Sequence, residues 1–97
     1  MAKYVVLVNW TDKGIAEAKG TTERAQRVQQ MIEKLGGSQD LMLWTLGRYD
    51  IVAVFDLPSD EAAATLGVQI GALGTVRTET LRGFTADEVG QIMGQVG

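Results

Sequence analysis

Two segments, "KYVVLVNW" (3–10) and "IVAVF" (51–55), are apolar at almost every position. In a strand, successive side chains point to opposite faces, so segments like these have no side suited to water. Within residues 4–10, Tyr4, Val6, Val8 and Trp10 share one face, and Val5, Leu7 and Asn9 share the other. Such a strand belongs at the centre of a sheet that is covered on both sides. The 97 residues make one domain, 1–97, with room for a single modest core. Covering a sheet twice with so short a chain is the problem this sequence sets.

The remaining periodicities say what can do the covering. Residues 22–35 repeat Ala25, Val28, Ile32 and Leu35 at three- and four-residue steps, which predicts a helix. Thr21 or Thr22 is placed to accept its first backbone hydrogen bonds, and Gly36 and Gly37 to end it at positive φ. Residues 60–73 predict a second helix, with Ser59 as N-cap and a buried stripe of Ala63, Leu66, Ile70 and Leu73. Gly67 and Gly71 are expected to let that helix approach the sheet closely. Residues 11–20 fit a short helix opened by Thr11 or Asp12 and interrupted by Gly14 and Gly20.

Residues 40–46 and 49–56 predict two strands joined through Gly47-Arg48, the second stopped by Pro58. Residues 75–83 predict a fourth, more polar strand. Thr85 and Glu88 form a capping-box pattern, with Phe84 and Val89 as its hydrophobic staple, and open a final glycine-weakened helix. The order β-α-β-β-α-β plus a C-terminal helix predicts an α+β, ferredoxin-like fold. Its four-stranded antiparallel sheet carries both helices on one face. The other face keeps apolar residues from the first and third strands. A bare patch of that kind marks an association surface. A homodimer packed sheet against sheet is therefore expected, unless the C-terminal helix roofs the face itself.

Composition narrows the chemistry. With no Cys there are no disulfides or thiolate metal sites, and with no His the commonest base and metal ligand are missing. No metal and no cofactor are expected. The net charge of −3 and the absence of a Lys/Arg cluster argue against nucleic acid as a partner. No apolar run approaches a membrane span, and the N-terminus lacks a signal-peptide pattern, so a cytoplasmic protein is expected.

Three blocks in order, "KYVVLVNWTDKGI", "WTLGRYDIVAVFDLPSDEAA" and "GALGTVRTETLRGFT", resemble the GYD-domain proteins. The name reflects a Gly-x-Tyr-Asp element, here Gly47-Arg48-Tyr49-Asp50. The resemblance runs from about residue 3 to residue 88. It implies the dimeric α+β barrel superfamily, in which ferredoxin-like protomers associate through their sheets; it does not supply a function. A looser similarity links "GRYDIVAVFDL" and "LGTVRTETL" to the effector-binding domains of Lrp/AsnC regulators. Those domains bind amino acids or similar small molecules between subunits. The helix-turn-helix of those regulators is missing here, so the resemblance implies a stand-alone module.

Six residues are candidates for a ligand site: Asn9, Trp10, Trp44, Tyr49, Asp50 and Arg77. Each also has a structural reading. Asp50 suits turn chemistry with Gly47. The aromatics suit packing or an interface. Asn9 on an apolar strand needs a hydrogen-bond partner. Arg77 shares a face with Glu79 and pairs with it in water, or lines a pocket if that face is covered. Three functions fit. The first is a dimer binding a small molecule near the subunit interface, in a regulatory or accessory metabolic role. The second is a cofactor-free oxygenase, isomerase or cyclase acting on an aromatic or polyketide-like substrate, although no nucleophile–base pair is visible. The third is a structural assembly subunit.

Overall fold

The computed structural model describes residues 1–97. The central strand β1 (Ala2–Trp10) pairs antiparallel with both β3 (Ile51–Leu57) and β4 (Val76–Gly83), and β2 (Ser38–Trp44) closes the far edge against β3. The order β2-β3-β1-β4 is the ferredoxin-like arrangement. The predicted elements are all present, with ends shifted by one or two residues. The β2–β3 connection is longer than Gly47-Arg48: neither strand includes residues 45–50.

Pairing fixes which face each side chain takes. Tyr4 lies opposite Phe55, Val6 opposite Ala53 and Val8 opposite Ile51. All six are buried, under α2 (Thr21–Lys34) and α3 (Asp60–Ala72). Ile32 of α2 and Leu66 and Ile70 of α3 complete this core. A part-buried hydrogen bond docks α3: the Tyr4 hydroxyl donates to Asp60 Oδ1 at 2.5 Å. The Asp60 carboxylate, aided by burial, holds the Tyr4 phenol above its usual value.

The N-terminal turn and the glycines sort by steric role. The short α1 (Asp12–Ala16) is capped by Thr11, which accepts from the Gly14 amide at 3.1 Å and donates to the Gly74 carbonyl at 2.7 Å. A Cβ on Gly14 would sit 1.8 Å from the Thr75 carbonyl oxygen, and one on Gly37 would sit 2.3 Å from that of Asp56. These are the close approaches. At Gly67 and Gly71 a Cβ would meet nothing within 4 Å, which overturns the expected role of those two. Gly36, at φ 83°, ends α2 as anticipated, whereas Gly37 does not take a positive φ. The N-cap of α2 is Gly20, without a side-chain acceptor, so neither Thr21 nor Thr22 serves there.

After β4 comes α4 (Ala86–Met93), opened by the anticipated Thr85–Glu88 capping box. It does not roof the sheet. Ile92 and Met93 remain exposed on it, as does Phe84 just before it, and Leu41, Leu43 and Leu81 remain exposed on the sheet. The radius of gyration is 14.6 Å, against about 12.5 Å for a compact chain of this length.

Gly14→Ala drives a methyl into a backbone carbonyl and should cost about 2–4 kcal/mol. Gly67→Ala, in open space within a helix, should stabilise by roughly 0.5–1 kcal/mol. Urea unfolding of both variants checks the contrast; equal effects would contradict this packing.

Candidate functional site

The open face of the sheet is apolar in the middle and charged at both ends. Val5, Leu7, Val52 and Val54 form the centre, flanked by Leu41 and Leu43 on β2 and Leu81 on β4. Leu43 is 51% exposed and Leu81 46% exposed. The register slips between Gln39 and Leu41, so Asp40 has no partner on β3. Its carboxylate lies 2.5 Å from Lys3 Nζ, which is also 3.0 Å from the Asp56 carboxylate. Lys3 holds Asp40 below the usual carboxylate range. Asp40, then Asp56, hold the Lys3 ammonium above its usual range.

The opposite end is an open concavity of about 230 Å³ lined by Leu7, Asn9, Arg48, Tyr49, Arg77, Thr78 and Glu79. Asn9 faces Arg77 across the β1–β4 ladder, and Leu7 faces Glu79. The Tyr49 hydroxyl reaches in from the β2–β3 loop, 3.4 Å from Glu79 Oε2. Arg48 stands over the Tyr49 ring at 5.7 Å from its centroid. Neither Arg48 nor Arg77 pairs with a carboxylate of this chain, whereas Arg82 lies 3.7 Å from Glu88.

The six sequence-derived candidates divide. Asn9, Tyr49 and Arg77 come together in this concavity. Asp50 stands behind it as a stitch between strands. Its Oδ2 accepts the Trp10 amide at 2.8 Å, its amide donates to the Val8 carbonyl at 2.9 Å, and its carbonyl accepts the Thr45 amide at 2.9 Å. The carboxylate thus extends the β1–β3 ladder past its last backbone pair. Trp10 and Trp44 lie on the helix side, because they alternate with the open-face residues. Trp44 Nε1 donates to Thr21 Oγ1 at 3.0 Å. Trp10 Nε1 is buried without an acceptor.

Arg48 and Glu79 join the concavity although neither was among the six. Glu79 was already legible as the residue two positions from Arg77 on the same strand face. Arg48 carried no such signal, since a loop has no period. In Gly47-Arg48-Tyr49-Asp50 each residue has its own task. Gly47 turns the chain at φ 99°, Arg48 and Tyr49 border the concavity, and Asp50 ties β3 to β1. No group of three or more acidic side chains is placed to hold a metal ion. No helix is long and apolar enough to cross a membrane.

A ferredoxin-like α+β unit with one open face and a Gly-x-Tyr-Asp loop at its end is the class these features define. The chain belongs to the GYD domain family, which it matches over residues 4–93. It is also similar to a protein of solved structure, TTHA0845 from Thermus thermophilus. The identity is 28%, the TM-score 0.57, and the match covers 89% of this chain and 96% of that one. No curated protein matches.

Asp50→Ala leaves the Trp10 amide unpaired and should cost about 1–3 kcal/mol in urea unfolding, whereas Asp50→Asn keeps an acceptor and should lose less. The Lys3–Asp40 pair adds a pH signature. A carboxylate with a lowered folded pKa stabilises above its unfolded value of 3.8 and loses that contribution as pH falls through the folded value. The stability gap between wild type and Asp40→Asn should therefore be present at neutral pH and close in acid. Lys3→Met should remove most of the gap at neutral pH. A gap that widens below pH 3.8 would contradict the pairing.

Proposed function

We propose that this chain is a homodimeric binding module, its second copy covering the open sheet face and its ligand held in the polar concavity at the edge of that interface. The observation that carries the reading is the layout of one face: an apolar centre bounded by a cluster with two unpaired arginines. Two copies related by a two-fold axis would bury the same patch on both at once, which is the commonest form of association. The resemblance to sheet-to-sheet dimers supports the same partner. The ligand class follows from the lining. Arg48 and Arg77 offer guanidinium forks to an anionic group, and Glu79, Tyr49 and Asn9 offer an acceptor and two neutral hydrogen-bonding groups. A small polar carboxylate that also bears a donor, such as an amino acid, meets both. The reading as a binder is favoured over an enzyme because Asp50, one of the six candidates, directs a carboxylate oxygen to the Trp10 amide and does not line the concavity.

Light scattering behind gel filtration should give twice the chain mass of 10.5 kDa. Val54→Lys or Leu43→Lys should give a folded monomer; a monomeric wild type would refute the dimer. In a thermal-shift screen of amino acids and small dicarboxylates, a ligand at about 100 times its dissociation constant should add about 2.7 kcal/mol. Arg77→Ala should abolish that shift. A hit insensitive to Arg77→Ala, Arg48→Ala and Tyr49→Phe would place binding elsewhere.

A further inference from the structure

The open face is a four-cornered surface with a charge at each corner. The register sets Lys3, Asp40, Asp56 and Gly83 at one end, and Asn9, Arg77 and the β2–β3 loop at the other. Along one edge, β2 carries Asp40 near its start and leads into the loop that holds Arg48. Along the other, β4 carries Arg77 near its start and ends at Gly83. The acidic first turn of α4 follows, where Asp87 is exposed and meets no cation of this chain. Lys3 stands against two carboxylates, which leaves its end one negative charge in surplus. Arg48 and Arg77 stand beside one, Glu79, which leaves the concavity one positive charge in surplus. Asp40 and Arg48 are both exposed. They cannot meet within one chain, since Asp40 to Trp44 alone spans about 13 Å of strand.

A second copy laid sheet to sheet is related to the first by a two-fold axis between the sheets. Run along the strands, that axis sets each end on its like end and exchanges the edges. Arg48 then falls opposite the partner's Arg77, and Asp40 opposite the acidic start of the partner's α4. Run along a diagonal, it sets two of the four corners on their own copies, like on like. Run across the strands, it sets each end on the opposite end and each edge on itself. Arg48 then falls opposite the partner's Asp40, and Arg77 opposite the acidic start of the partner's α4. That last axis joins opposite charges at every corner, and like charges set together oppose association. Resting on the dimer proposed above, we infer that the axis crosses the strands, and that the partner's Asp40 pairs with Arg48 and so forms part of the wall of each concavity. The site is then built by two copies, twice per dimer. Arg48 has five N–H donors, enough to hold the partner's Asp40 and an anionic ligand together.

The chain has no cysteine, so thiols can be introduced one at a time. Wild type is first weighed by light scattering; a monomer refutes the dimer and this pairing with it. Given a dimer, copies carrying Asp40→Cys are mixed with copies carrying Arg48→Cys and treated with a short bismaleimide. The mixture should give a covalent dimer on a denaturing gel. Either variant alone should give little, since an axis across the strands holds equivalent corners at opposite ends. A covalent dimer from Arg48→Cys mixed with Arg77→Cys, and none from the first mixture, would overturn the axis while leaving the dimer standing. So would efficient linking of either first variant to itself, the mark of a diagonal axis. Charge reversal gives a second readout. Asp40→Arg and Arg48→Asp should each raise the dimer dissociation constant about tenfold or more. Their equimolar mixture should regain wild-type affinity, because both contacts of the mixed dimer again join opposite charges. A mixture no tighter than its components would overturn the pairing.

Discussion

β1 is hydrogen-bonded on both edges and apolar on both faces, and the rest of the molecule is arranged around that fact. Its backbone needs are met by β3 and β4, so it cannot lie at a sheet edge. Its side chains need cover above and below. Two crossover helices that return to one side give cover to Tyr4, Val6 and Val8. The same topology leaves Val5 and Leu7 on a face no helix reaches. The bare face is thus a consequence of βαββαβ connectivity applied to a strand with two apolar sides, and it needs no separate cause.

Charge is placed where that face ends. Lys3, Asp40 and Asp56 close one end as a compact cluster whose charges are met within the chain. At the other end, Arg48 and Arg77 have no such partners. The asymmetry separates a cluster whose cation is paired within the chain from one whose two guanidiniums meet no carboxylate. The Gly-x-Tyr-Asp loop belongs to both roles. Its aspartate serves the sheet by capping the Trp10 amide, and its tyrosine borders the concavity. Loss of the aspartate would therefore disturb the concavity through the backbone, although Asp50 does not line it.

The helix side has a different character. Its polar atoms are few, and two are buried without partners: Trp10 Nε1 and Gln39 Oε1. A donor and an acceptor would satisfy each other if they met. They do not, because Trp10 pairs with Val76 at one end of the sheet while Gln39 pairs with Phe55 towards the other. The Trp10 ring lines a narrow apolar cleft between the sheet and the helices. The two faces thus offer two kinds of environment: one open and polar-rimmed, the other narrow and apolar.

Most of the architecture was legible in the chain. Alternation in 4–10 and 51–55 named the central strands, three- and four-residue spacing named α2 and α3, and Ser59 and Thr85 marked helix starts. These signals are local, since each depends on backbone period or on a cap within three residues. The site was legible only in part, because neighbours in sequence on a strand point apart. Asn9 and Trp10 were both candidates although alternation already put them on opposite faces, and only Asn9 lines the concavity. Asp50 looked like a site residue or a turn residue, and only the register of β1 against β3 brought its carboxylate to the Trp10 amide. The glycines that matter sterically, Gly14 and Gly37, could not be told from Gly67 and Gly71, because a clash depends on which distant carbonyl lies beyond the Cα. Periodicity determined the elements and their faces; pairing register and crossover geometry decided which polar groups meet, since those contacts join residues far apart in the chain, 30 positions for Tyr49 with Glu79 and 40 for Trp10 with Asp50.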